Sequence, residues 1–413
     1  MRVLVTTTRS WHLERTALAF SARQALAGLW MADRNRLGLP AAEYRRCWPY
    51  HLAMKPFYHL ASQLWQERAT YWLIGFWQAW LRASLRSSRC PQFEVVQAIM
   101  GFASEIFDRA DAVGALKVLD CPNSHPTTYY GFWQRECDRW CPGERVPIPR
   151  FMFARMNREI ERADVILSPS NFVRDTMVWN GIDPARCFIN PFGVDTATFT
   201  RRKEPPPAPR FICVGTICLR KGHHYLFPAF EIVKRQLPQA ELVCVGHDKI
   251  DFRKQRPKWA GLYQQHRSLR HAQLNELMQN CTAFVLPSCE EGFARVLSEA
   301  MAAGLPIIAS YESGATTVVT EGTEGFIVSR NPAEIAAAML KLATDRDLNR
   351  RMGEAAYRKG SLQNTWQDYG DRLLAEYGRR LASRPAGAVG SNDSAQPQAK
   401  RPGNPPGRGC SLR

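Results

Sequence analysis

No run in this 413-residue chain reaches the roughly 18 uncharged apolar positions that a membrane-crossing helix needs. The opening residues, Met1-Arg2-Val3-Leu4-Val5 followed by Thr6-Thr7-Thr8, contain neither an apolar h-region nor a cleavage site. They read as a first β-strand, so a secretory signal is not expected and a cytoplasmic location is. Acidic residues are scarce beside basic ones, 38 against 55, leaving a formal net charge of +17. That surplus suits nucleotide phosphates, anionic headgroups or nucleic acid as partners, and equally a basic solvated surface. No recognisable nucleic-acid module accompanies the charge, so no specific nucleic acid is expected. The 12 cysteines lack an extracellular pairing pattern. Cys213, Cys244 and Cys281 sit inside apolar runs, where a reduced thiol packs as a small hydrophobe. Cys137 and Cys141 have no second Cys/His pair at zinc-site spacing. Asp345-Arg346-Asp347 has the D-x-D spacing that can hold a divalent metal, but lies between two helical patterns and reads as a turn or N-cap.

What the sequence does contain is alternation of short apolar runs with helical patterns. Candidate strands at Val3–Val5, Val95–Ile99, Leu116–Asp120 and Val165–Ser168 alternate with helical stretches over 13–27, 103–113, 150–162 and 171–180. This pattern predicts a parallel α/β sheet. A polar, proline-rich stretch at 200–209 follows, and a second α/β unit then restarts with strands near 211–214, 241–245, 283–286, 306–309 and 325–328. Asn364-Thr365 opens a last helix, and from 383 onward the composition is that of a disordered tail. The expected division is 1–199, a linker at 200–209, 210–365, a helix at 366–382 and the tail at 383–413.

Two stretches of the second unit carry chemistry. The strand ending at Val214 leads through Gly215 and Thr216 to the adjacent cations Arg220 and Lys221, then Gly222 and a helix. Cations at such a helix start can clamp a diphosphate and stabilise the charge of a departing nucleoside diphosphate. The run Ala283–Leu286 leads through Pro287-Ser288 to Glu291, and Glu299 follows eight residues later on a helical pattern. In an open parallel sheet such strand-to-helix loops sit where ligands bind, and two carboxylates there can accept hydrogen bonds from sugar and ribose hydroxyls.

Together, Pro287-Ser288, Glu291-Gly292-Phe293, Glu299-Ala300-Met301-Ala302 and Gly304-Leu305-Pro306 resemble the donor-site signature of family 4 glycosyltransferases. The resemblance implies a retaining enzyme of the GT-B fold, with two Rossmann-like lobes facing a cleft and a C-terminal helix crossing back to the first lobe. It implies that Glu291, with Gly292, Phe293 and Ala294, contacts the transferred sugar and that Glu299 holds the nucleotide ribose. Gly215, Thr216, Arg220 and Lys221 then belong to the diphosphate site, with Lys221 matching the phosphate-binding lysine. It further implies a UDP- or GDP-sugar co-substrate, no cofactor, metal independence, and proton transfer from the acceptor to the leaving phosphate. The loop Asp120-Cys121-Pro122-Asn123-Ser124-His125 makes His125 the first-lobe catalytic candidate, and Ser170 is placed at the cleft. Glu136 is a surface or interlobe position.

The sequence departs from the signature in two places. Thr216 stands where an arginine is usual, and Arg9-Ser10-Trp11-His12 lacks the glycine pair of many relatives. The second departure leaves the acceptor open: a cell-surface glycan or its lipid-linked precursor is the expected class. The aromatic segment Tyr71–Leu81, followed by Arg82, Arg86 and Arg89, reads either as a membrane-interface patch or as a buried first-lobe helix. The first option implies peripheral association at the inner face of the plasma membrane. A catalytically decayed scaffold and an epimerase or hydrolase on the same fold are the alternatives.

Overall fold

The computed structural model describes residues 1–8, 12–47, 66–88, 90–142, 149–249, 256–362 and 364–384. Arg9, Ser10, Trp11, Arg89 and the tail from 385 onward lie outside them.

The first lobe is built from β1 (Val3–Thr7), α1 (His12–Ala22), β2 (Leu26–Met31), β3 (Tyr44–Arg46), α2 (Gln66–Arg86), β4 (Val95–Ile99), α3 (Ser104–Val113), β5 (Leu116–Asp120), α4 (Pro126–Trp140), α5 (Arg150–Arg162), β6 (Val165–Ser168), α6 (Asn171–Trp179) and β7 (Cys187–Ile189). Its strands pair in parallel in the order β3-β2-β1-β4-β5-β6-β7. The second lobe runs β8 (Arg210–Val214), α7 (His223–Gln236), β9 (Glu241–Val245), β10 (Gln264–His266), α8 (His271–Gln279), β11 (Ala283–Leu286), α9 (Arg295–Ala302), β12 (Ile307–Ser310), β13 (Gly325–Val328), α10 (Pro332–Thr344) and α11 (Arg346–Leu362). Its order is β10-β9-β8-β11-β12-β13, again all parallel. Both orders reverse once, at β1/β4 and at β8/β11, and such a reversal opens a crevice at the carboxyl ends of the strands. The central strands β1, β4, β6, β11 and β12 are buried along their whole length, as strands covered by helices on both faces must be.

The expected helix over 13–27 is shorter in the structure. It ends at Ala22, Gln24 turns at φ 56°, and Leu26–Met31 becomes a fully buried strand. An apolar run beside a helical pattern extends the apparent helix, because periodicity cannot separate a buried strand from a buried helical turn. The three-residue strands β3, β7 and β10 lie at the sheet edges, none of their residues is fully buried, and they are too short to show a period.

The proline-rich stretch is docked on the second lobe. Arg202 is buried there, donating to the carbonyls of Cys281 (2.6 Å) and Thr282 (3.2 Å) and to Asn349, while its amide bonds Ala303 O at 3.0 Å. Burial holds its guanidinium down to about 10. Asp345 caps α11 by accepting from Leu348 N at 2.9 Å, which is the turn role expected of the D-x-D.

A last helix, α12 (Trp366–Ala382), returns to the first lobe, its start fixed by a capping box between Thr365 and Asp368. Tyr377 donates to Gln97 at 3.0 Å, and Arg23 pairs with Asp371 at 2.8 Å. A Cβ on Gly370 would lie 2.5 Å from that of Ala19, so only glycine permits this approach of α12 to α1. The two crossings between lobes run side by side: Val194 bridges Thr365, and its amide bonds Asn364 O at 2.9 Å.

On α2 the buried-helix reading of the aromatic segment holds for one face, and the other face is exposed. Ile74, Trp77 and Leu81 are buried, whereas Trp72 (68%) and Phe76 (41%) are exposed with Gly75, Ala79, Arg82 and Arg86. Among the described residues no helix is long and apolar enough to cross a membrane. Every cysteine among them is a free thiol.

Candidate active site

Two loops of the second lobe are joined at the switch point. Cys289 N donates to Arg220 O at 2.8 Å, and a Cβ on Gly222 would fall 1.8 Å from Pro287 O. Gly222, at φ 75°, is therefore required both for the turn that starts α7 and for the contact with the β11 loop. Gly215 does the same for a side chain: its absent Cβ would sit 3.1 Å from Lys221 Cε, so Lys221 folds across it.

This places Lys221 in an ion pair with Glu291. Arg220 lies 3.8 Å from Glu291 and 3.2 Å from Glu290, and also donates to the Glu290 carbonyl at 3.1 Å. Burial pushes the Glu291 carboxyl up, and Lys221 and Arg220 outweigh it, leaving it below the usual carboxylate range. For Glu290, wholly buried, burial prevails and the carboxyl is raised. Desolvation opposes the charge on Arg220, but Glu291 and Glu290 hold its guanidinium above the ordinary value. The cluster has two cations and two carboxylates at the N-terminal end of a 14-residue helix.

Of the remaining predicted positions, Gly292, Phe293 and Ala294 continue the loop from Glu291. Gly292 faces the first lobe: its Cβ would meet Pro122 O at 1.7 Å, and its carbonyl accepts from Ser170 Oγ. Phe293 is buried with its ring 5.9 Å from that of Phe192, and Ala294 N bonds Ser313 O at 3.4 Å. Glu299 projects from α9 with Arg295 and His271 as charged neighbours, and burial raises its carboxyl. Thr216 is half-buried and supplies no cation where an arginine is usual.

His125 is the N-cap of α4. Its Nδ1 accepts from Thr127 N at 3.3 Å, its own amide donates to Thr176 at 2.9 Å, and burial holds the ring down to about 4. The imidazole is thus neutral at neutral pH, and with Nδ1 accepting, its proton resides on Nε2 as a donor. Ser170 caps α6, accepting from Val173 N at 3.2 Å, and Asn171 N crosses to Thr317 at 2.8 Å.

Three residues of the site went unnoticed in the sequence. Glu290 accepts from Ser124 Oγ at 2.7 Å across the lobes, and Tyr129 on α4 has Arg220, Glu290 and Glu291 as charged neighbours. The doublet Glu290-Glu291 facing the doublet Arg220-Lys221 was the available signal.

Glu136, left between surface and interlobe, is interlobe. This buried first-lobe carboxylate accepts from His224 (2.9 Å), Tyr225 (3.0 Å) and Arg330 (3.2 Å), all of the second lobe. Glu136, His224 and Cys289 come close enough together to hold an ion. Arg330, which pairs with Glu136 and is hydrogen-bonded to Cys289, already supplies the positive charge there, and His224 Nδ1 lacks the outer partner that metal-bound histidines have. The cluster fits an ion-pair junction better than a metal centre.

Residues 195–359 match the family described as glycosyl transferases group 1. The chain is 32% identical over 325 residues to D-inositol 3-phosphate glycosyltransferase of Stackebrandtia nassauensis, covering 67% of this chain and 72% of that protein. It is 32% identical over 221 residues to glycogen synthase of Mycobacterium tuberculosis, covering 52% of this chain and 50% of that protein. The chain thus spans about half the length of several curated relatives. In fold it is similar to sucrose-phosphate synthase of Thermosynechococcus elongatus, with TM-score 0.71 and 15% identity over 93% of this chain and 100% of that one. It is also similar to HepE of Anabaena, solved with UDP and glucose, with TM-score 0.64 and 13% identity over 92% and 100%.

Proposed function

Because the chain belongs to the glycosyl transferases group 1 family, we propose that it moves a sugar from a UDP- or GDP-linked donor to a glycan or lipid-linked acceptor in cell-surface polysaccharide or glycoconjugate synthesis, with retention at the anomeric carbon. The observation that supports this most directly is the Arg220-Lys221 pair facing Glu290-Glu291 at the start of α7. A diphosphate seated there meets Lys221, Arg220 and the free amides of the helix N-terminus, which offset its charge as it leaves without calling on a metal ion. Glu291 accepts from hydroxyls of the transferred sugar and Glu299 from the ribose. His125, neutral with a proton on Nε2, donates to the sugar from the first lobe. The acceptor hydroxyl attacks on the face the diphosphate leaves, and its proton passes to the departing phosphate oxygen.

Peripheral association with the inner face of the plasma membrane is part of the proposal. The exposed Trp72 and Phe76 beside Arg82 and Arg86 on α2 support it, since this combination favours an anionic headgroup region.

The test is a panel of UDP-, GDP- and ADP-sugars, without added metal, measured for thermal stabilisation and slow hydrolysis on the wild type and Glu291→Ala. One donor is expected to stabilise both proteins and to be turned over by the wild type alone. If no nucleotide sugar or free nucleotide shifts the melting temperature, the chain is not a transferase and the scaffold alternative replaces it.

A further inference from the structure

Resting on the transfer reading, we infer that Glu290 is a positioning residue, through which the donor clamp of the second lobe holds the His125 loop of the first. Its two carboxylate oxygens have separate partners. Oε1 accepts from Ser124 Oγ at 2.7 Å and from Ser124 N at 3.3 Å, both in the other lobe. Oε2 accepts from Arg220 at 3.2 Å, and the same guanidinium nitrogen bonds the Glu290 carbonyl at 3.1 Å. Ser124 immediately precedes His125, and Arg220 immediately precedes Lys221. One side chain therefore bridges the residue before the first-lobe donor and the residue before the phosphate lysine.

The surroundings make this bridge sensitive to lobe position. Glu290 and Ser124 are at most 1% exposed, so neither can exchange its partner for water without the lobes parting. Beside them the Gly292 backbone fits against Pro122 with no room for a Cβ. Separating the loops strips the carboxylate of Ser124 while its charge stays partly desolvated, a cost that opposes opening. Conversely, moving Arg220 toward a bound diphosphate loosens Oε2 and redistributes charge onto the Ser124 side.

The experiment is a double-mutant cycle of Ser124→Ala and Glu290→Gln, with donor KM, kcat for transfer and donor-induced compaction by small-angle X-ray scattering as readouts. Ser124→Ala is expected to lower kcat about tenfold, the worth of one hydrogen bond to a charged group, with donor KM nearly unchanged and compaction reduced. Glu290→Gln, which also loosens Arg220, is expected to lower kcat and raise donor KM. The double variant should lose no more kcat than Glu290→Gln alone. A Ser124→Ala enzyme with wild-type kcat and compaction, or losses that multiply in the double variant, overturns the assignment while leaving the transfer reading intact. A wild type that neither binds nor turns over any nucleotide sugar overturns the transfer reading, and the assignment with it.

Discussion

Lys221 and Glu291 are each other's counter-ion, although the first is proposed to hold the donor's phosphates and the second its sugar. A diphosphate entering the site must draw the ammonium away from the carboxylate, and that exchange frees Glu291 to accept from the sugar. Lys221→Met is expected to weaken donor binding about 10- to 100-fold, the loss of charge-assisted bonds of about 1.5–3 kcal/mol. Glu291→Gln should leave donor affinity equal or tighter, because Lys221 is released, while turnover falls about 100-fold. Calorimetric titration with the free nucleoside diphosphate, beside steady-state kinetics, separates the two; weaker diphosphate binding in Glu291→Gln would contradict the exchange.

Gly292 separates folding from closure. An alanine there must displace Pro122, which belongs to the other lobe, so Gly292→Ala is expected to hold the lobes apart without unfolding either. Transfer should fall at least about tenfold, by the cost of misplacing groups by about an ångström, with the melting temperature close to wild type. A fully active Gly292→Ala would show that the Pro122 contact is not part of the working enzyme.

His125 gives stability a pH dependence of known sign. Its folded value of about 4 lies below its ordinary 6.5, so between these values the unfolded chain binds a proton that the folded chain refuses. Stability therefore falls on acidification from about 6.5 and stops falling from this cause below about 4. His125→Asn keeps a cap for α4 but has nothing to titrate, so its melting temperature should drop less than that of the wild type between about pH 7 and pH 4.5. Parallel curves for the two proteins would assign the acid sensitivity elsewhere.

The exposed face of α2 predicts lipid binding that depends on both its aromatic and its basic residues. Trp72→Ser with Phe76→Ser should lower co-sedimentation with anionic phosphatidylglycerol vesicles several-fold, and raised salt should weaken the wild type as well. Equal sedimentation of variant and wild type would remove membrane association from the proposed function.

Much of the second lobe could be read from its sequence, because most of its strands are short apolar runs, three of them followed directly by glycine or proline, and its site residues fall in two short stretches, 215–222 and 290–299. Glu241–Val245, Ala283–Leu286 and Gly325–Val328 are strands with the expected bounds. The first lobe was harder. Leu26–Met31 blended into the helix before it, and three-residue edge strands carry too few side chains to show a period. Partnerships across the cleft were the least accessible, since Ser124 meets Glu290 over a separation of 166 residues. Nothing in the local pattern at Glu136 chose between solvent and the other lobe, and only the fold, by bringing His224, Tyr225 and Arg330 to it, decides.

The two crossings of the chain lie against each other, with Val194 bonded to the residues that open α12. Mechanically this is a door hung on two pins along one line: the lobes can swing about that line, while twisting or sliding would have to tear the pins apart. Cleaving the chain between Val194 and the docked proline-rich stretch would leave the halves hung on α12 alone, with one of the two pins lost.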